Sequence, residues 1–118
     1  MTNSISQIAK QLKDKFSLKE LPSYEALEQN GEYLVFEGFE RVNESTDNAI
    51  FGVIIAANTL NADKSALLPR VDEMRRDLFR FGASNSEYIV YGAKAAFVTN
   101  ALYCVKFNVK IKIAEFID

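Results

Sequence analysis

Histidine is absent from all 118 residues of the chain. The commonest neutral-pH acid–base group and the commonest metal ligand are therefore both missing. A Ser-His-Asp or Cys-His site cannot be assembled from this chain alone. Cysteine occurs once, at Cys104. One thiol is too little for a Cys/His zinc site and cannot form an internal disulfide, so a reducing compartment of synthesis is expected. The five glycines, Gly31, Gly38, Gly52, Gly82 and Gly92, are isolated from one another, and neither phosphate-cradling glycine motif occurs. A net charge of −2 gives no whole-molecule attraction to nucleic acid or anionic membranes. The longest apolar run, Ala49 to Ala57, is strand-sized and far short of a membrane span. The start, Met-Thr-Asn-Ser-Ile-Ser-Gln, lacks the basic and apolar regions of a signal peptide. Carboxylates remain as catalytic candidates, as in glycosidases. No pair stands out, because Glu37 and Glu40 face opposite sides of a regular strand. No enzymatic activity, metal or cofactor is expected.

What is present suits one packed domain over residues 1–118, with 48% hydrophobic residues supplying its core. The clearest pattern is the last one. Val105, Phe107, Val109, Ile111 and Ile113 alternate with Lys106, Asn108, Lys110 and Lys112. Period two predicts a strand with one buried face and one wet, basic face. The run from Leu102 to Phe116 exceeds an ordinary strand and can reach beyond its own sheet.

Earlier segments read in sequence order. Ile5, Ile8, Leu12 and Phe16 recur at helical spacing, and Asn3 or Ser4 can cap the start, which predicts a helix over Ser4–Phe16. Leu21-Pro22-Ser23 breaks the chain, and Tyr24 to Asn30 reads either way, with a short turn ended by Gly31. Tyr33–Phe39 and Ala49–Ala57 form a hairpin around a polar turn cluster, Val42 to Asn48. The near-continuous apolar second arm fits a strand covered on both faces. Pro69 suits the first turn of a second helix, Pro69–Phe81, with Val71, Met74, Leu78 and Phe81 as its buried stripe and Gly82 as its stop. Asp72–Arg76 and Asp77–Arg80 are spaced as ion pairs on that helix. Tyr88–Tyr91 predicts a third strand, and Lys94 to Thr99 is left open. The order is α-β-β-α-β-β: an α+β two-layer domain, its mainly antiparallel sheet carrying both helices on one face. The expected core includes Ile8, Leu12, Val53, Ile55, Val71, Met74, Leu78, Phe107, Val109 and Ile111.

The Ile5/Ile8/Leu12/Phe16 helix is one of three segments that carry a resemblance. The second is the step from Phe51-Gly52-Val53-Ile54-Ile55 through a polar loop into the charged helix Val71–Leu78. The third is the closing strand Val105–Ile111. In this order and size the chain is similar to the small tail-terminator and tail-completion proteins of long-tailed phages, including those of Mu-like prophages. The resemblance implies a homo-oligomeric ring, commonly a hexamer. Such a ring caps the tail tube and joins it to the neck proteins, assembling in the bacterial cytoplasm and ending in the virion tail. It implies no catalytic residue, no membrane and no sequence-specific nucleic acid. A monomeric or dimeric ligand-binding or regulatory module, with its ligand between helix and sheet, is the alternative.

The candidate assembly surface comprises Asn58, Leu60, Asn61, Asp63 and Lys64 in the loop before the second helix, Arg75, Arg76 and Arg80 on that helix, and Lys106, Lys110 and Lys112 on the last strand. The lysines can line a channel or meet an acidic partner. They can equally form a solvated outer face that discourages unwanted strand pairing. Tyr88, Tyr91 and Tyr103, with Phe36, Phe39 and Phe97, fit core or interface packing better than base stacking, because few basic residues interleave with them. Cys104 fits a small buried hydrophobe.

Overall fold

A computed structural model describes residues 4–23, 26–84, 88–99 and 102–114, with side chains described for all of these except 84, 93–99 and 114. Its elements are α1 (Ile5–Phe16), β1 (Lys19–Glu20), β2 (Gly31–Asn43), β3 (Thr46–Ala57), α2 (Leu67–Ser84), β4 (Tyr88–Thr99) and β5 (Leu102–Ala114). The strands form one sheet in the order β1-β2-β3-β5-β4, antiparallel at every step but β1–β2. Both helices pack on one face, giving the expected α+β architecture.

Helix α1 begins where its sequence can satisfy its first amides. The Ser4 hydroxyl accepts from the Gln7 N–H at 3.1 Å, and the Gln7 side chain accepts from the Ser4 N–H at 2.9 Å. That is a reciprocal capping box. The helix ends at Ser17, whose φ of 55° is left-handed, a conformation that reverses the chain toward β1. Ile8, Leu12 and Phe16 are buried. Helix α2 solves the same problem differently. The Leu67 N–H donates to the Thr59 carbonyl, the Leu68 N–H to that of Leu60 and the Arg70 N–H to that of Ala66. Pro69, third in the helix, has no N–H to satisfy.

The main core lies between the helices and the sheet. Leu34, Phe51, Val53, Phe107, Val109 and Ile111 meet Ile8, Leu12, Met74 and Leu78 there. Phe81 bridges the helices to β4, edge-on to Phe16 at 5.3 Å and to Tyr88 at 4.6 Å. The Tyr88 hydroxyl, carried into this apolar layer, donates to Gln11 Oε1 at 2.6 Å. A second cluster covers part of the opposite face. Leu21 and Leu27, from the segment between β1 and β2, close over Tyr33, Val35, Ile54, Ala56, Leu102 and Cys104. This cover explains why β3 is buried on both faces from Phe51 to Ala57. Of the expected core only Val71 is partly rather than fully buried.

Two local expectations are corrected, and two stretches that the sequence leaves open or unassigned prove to be strand. Helix α2 runs through Gly82 to Ser84. A β-carbon at Gly82 would lie 3.4 Å from the Tyr88 carbonyl, an ordinary van der Waals contact, and the residue sits within the helix rather than ending it. The polar cluster Val42–Asn48 is mostly strand, because β2 and β3 continue through it to a two-residue turn at Glu44-Ser45. Residues 94–99 extend β4. Strand β1 pairs with only Tyr33 and Leu34 of β2, and two residues carry no periodicity to read. The turn at Ala26 is present, whereas Tyr24 and Glu25 lie outside the described residues, as do residues 115 and 116 at the end of the last strand-like run. The Phe97 side chain also lies outside them.

Strands β2, β3 and β5 are 13, 12 and 13 residues long, about twice the usual length. The molecule is correspondingly drawn out, 55 Å by 28 Å by 22 Å. Val109 is 1% exposed in the main core. Val109→Asp is expected to cost at least ~3 kcal/mol by burying an unpaired charge, and Lys112→Glu, at an exposed position on the same strand, under ~0.5 kcal/mol. Urea melts of the two variants check the difference.

Candidate assembly surface

Strand β2 would place Glu37 and Glu40 on opposite faces if it were regular. It is not. The β2–β3 register shifts between Phe36 and Gly38, where β2 carries one extra residue. A bulge of this kind inverts the alternation beyond it. Phe36 stands opposite Phe51 and Phe39 opposite Ala49, so both phenylalanines lie on the helix-bearing face. Glu37 and Glu40 both reach the other face, where Lys106 and Lys110 project. Glu37 Oε1 lies 2.8 Å from Lys106 Nζ, and Glu40 Oε1 lies 3.0 Å from Lys110 Nζ. The expected basic face is thus an alternating charge ladder across β2, β3 and β5. Asn48 Nδ2 donates to Glu40 at 3.3 Å, and the Lys110 ammonium sits 4.7 Å from the centre of the Tyr91 ring.

Gly52 makes the first rung possible. A β-carbon there would stand 2.8 Å from Glu37 Oε1 and 2.9 Å from Lys106 Cδ. The side chains of this rung are only 23% and 16% exposed, less than those of the Glu40–Lys110 rung. The Lys110 hydrogen bond, helped by Asn48, holds the Glu40 carboxyl below the usual glutamate range.

The sequence-nominated residues fall in three separate places. Asn58, Leu60, Asn61, Asp63 and Lys64 are all exposed in the loop before α2. This loop is closed on itself. Asp63 Oδ1 accepts from the Ser65 hydroxyl at 2.6 Å and from the Ser65 N–H at 2.9 Å, and these bonds lower the Asp63 pKa. Arg75, Arg76 and Arg80 are exposed on α2. Arg80 pairs with Asp77 at 3.9 Å, and Asp72 pairs with Arg75 at 4.0 Å instead of the expected Arg76. Lys106 and Lys110 lie in the ladder and Lys112 is exposed beyond it, on the face away from both helices. The loop follows Ala57, which pairs with Tyr103, whereas the hairpin turn precedes Thr46, which pairs with Ala114. Loop and turn therefore sit at opposite ends of the sheet, ~40 Å apart at strand rise.

Other residues were not visible as site candidates. Arg70 ties the start of α2 to the sheet, donating to the Ala56 carbonyl at 3.0 Å and lying 3.4 Å from Glu32. Phe36 and Phe39 are 50% and 60% exposed, and Val42 is exposed beside them. Along the row Phe39–Ala49–Ile111–Tyr88 every residue is buried except Phe39. The helix layer thus covers β4, β5 and β3 in this row but not the outer strand β2. An open cavity of about 440 Å³ adjoins this rim, lined by Ala9, Leu21, Pro22, Leu34, Phe36 and Phe51, with Glu20 at its edge. Among the described residues no cluster of three or more Cys, Asp or Glu could hold a metal ion, and no helix is long and apolar enough to cross a membrane.

Two measurements probe the ladder. A double-mutant cycle on Glu37–Lys106 is expected to give a coupling of about 1 kcal/mol, against under ~0.5 kcal/mol for the exposed Asp77–Arg80 pair. In an NMR titration Glu40 is expected below the ordinary glutamate range, and Lys110→Met to raise it. A depressed carboxyl stabilises the fold above its unfolded-state pKa, and that contribution fades as the pH falls through the folded-state pKa.

Compared with known proteins, the chain matches no family model and no curated protein.

Proposed function

We propose that the chain is a structural virion protein, a ring-forming tail terminator that caps the tail tube and joins it to the neck. Assembly takes place in the bacterial cytoplasm, and the ring ends in the virion tail. One observation carries this proposal: the apolar rim of β2, where Phe36, Phe39 and Val42 stand exposed beside an otherwise covered sheet. Apolar side chains exposed together along an unpaired outer strand favour association. The length of β2, β3 and β5 gives such a surface reach. The function is mechanical: repeated subunit contacts bury the rim, and one face of the ring meets the tube while the other meets the neck. It calls for no reaction, cofactor or membrane, and its partners are copies of the chain, the tail tube and the neck proteins.

The cavity beside α1 favours a second reading, a small ligand-binding module. Its wall is apolar except for Glu20, whereas small-molecule sites usually add several convergent polar groups to fix a ligand. Tail tubes incubated with the protein are expected to carry it at one end and to have a limited length by electron microscopy. Tubes with bare ends and uncontrolled length, with folded protein in excess, would overturn the terminator reading in favour of the binding module.

A further inference from the structure

The order β1-β2-β3-β5-β4 leaves two long, open margins on the sheet. Strand β1 pairs only with Tyr33 and Leu34, so among the described residues no strand lies beyond positions 35–43 of β2. None lies beyond β4 at the other margin. The antiparallel steps β2–β3, β3–β5 and β5–β4 fix the directions. Strands β2 and β5 run one way, and β3 and β4 the other. The two outer strands are therefore antiparallel to each other. A second copy set beside the first in the same orientation brings its β4 against β2 as a correctly directed antiparallel neighbour.

We propose that copies of this chain join head to tail through these margins, β4 of one copy pairing with β2 of the next to make a continuous sheet. The proposal rests on the self-assembly reading above and names its contact. Two further observations support it. Among the described residues nine large apolar side chains are exposed, and five of them, Phe36, Phe39, Val42, Ile89 and Tyr91, belong to these two strands. The helix layer also continues across the joint. Helix α2 packs on β4 as well as on β3 and β5, so the incoming copy brings its α2 alongside Phe36 and Phe39, where the first copy has no cover.

The bulges bear on selectivity. Both β2 and β4 carry two register shifts, whereas the β3–β5 ladder is unbroken from Thr46–Ala114 to Ala57–Tyr103. Bulged outer strands match a flat foreign strand poorly. A partner with its own bulged margin, namely another copy, suits them better. The contact is heterologous, since the two surfaces differ, and it can close into a ring.

Hydrogen exchange read by mass spectrometry tests the pairing without assuming a register. Oligomers and monomers separated by size are compared. Backbone amides in residues 35–43 and in residues 88–99 are both expected to exchange ~10-fold or more slowly in the oligomer. A second measurement separates head-to-tail from two-fold contacts. In a Cys104→Ala background, Phe39→Cys chains are mixed with Val90→Cys chains, both positions lying on the helix-bearing face, and treated with a short bismaleimide. Covalent dimers are expected in the mixture and not in either variant alone. Protection of only one segment, protection of neither, or dimers from a single variant would overturn the proposal. Oligomers that cap tail tubes without protecting these segments would remove this contact and leave the terminator reading standing. Oligomers with both segments protected that leave tubes uncapped would do the reverse. A chain that stays monomeric even with tubes present would overturn both.

Discussion

Everything distinctive about the surface of this protein depends on one extra residue in β2. Strand alternation is strict, so an insertion in one strand reverses the facing of all that follows until the next irregularity. At Phe36-Glu37-Gly38-Phe39-Glu40 the reversal sorts by chemistry. Both phenylalanines fall on the helix side, and both glutamates fall over the lysines of β5. Without it, Phe39 would point among Lys110 and its neighbours, and Glu40 toward the apolar layer. Gly38, with φ of 125°, supplies the backbone that the bulge requires. Gly52 supplies the space in which the first rung lies.

A second constraint comes from β3. Its run from Phe51 to Ala57 is apolar on both faces and needs two covers. The helices provide one. The other is the short segment carrying Leu21 and Leu27, which has to start from the β2 margin to reach that face. This route explains the brief parallel pairing of β1, which occupies the margin at Tyr33 and Leu34 and leaves the rest of β2 open. The same economy appears at the α2 entry, where the loop carbonyls of Thr59 and Leu60 take the first helix amides. That loop, part of the candidate assembly surface, thereby completes the start of a helix.

The helices, the hairpin and the long final strand were legible because periodicity and capping are local. Ile8/Leu12/Phe16 and Val105/Phe107/Val109 state their own faces. The buried set was legible for the same reason. The candidate surface was legible only in part. Lys106 and Lys110 could be recognised as sharing a face, but their partners are about 70 residues distant in sequence, and the facing of those partners turns on a bulge with no reliable local signature. Gly38 between two acidic-aromatic pairs was the one available hint. By sequence Phe36 and Phe39 fit core or interface packing alike, because few basic residues interleave with them. Their exposure follows from where the helix layer stops, a tertiary fact that no window of sequence contains.

If copies join through the sheet margins as proposed, the exposed rim limits how strongly they can hold one another. Full burial of a phenylalanine is worth ~1.5–3 kcal/mol. Phe36 and Phe39 are already about half covered, so closing over both yields ~2–3 kcal/mol. Association costs ~4–15 kcal/mol in lost translational and rotational freedom. The pair alone therefore cannot hold two subunits together, and the remaining stabilisation has to come from backbone pairing and the rest of the contact. In a closed ring the subunit that completes the circle gains two contacts for one loss of freedom. Weak single joints combined with closure make intermediate oligomers scarce and the complete ring favoured. A template such as a tube end, holding several subunits in register, lowers the entropic cost further. Under these terms a chain that is monomeric when dilute and a ring when templated is one behaviour, set by a rim deliberately too small to bind alone.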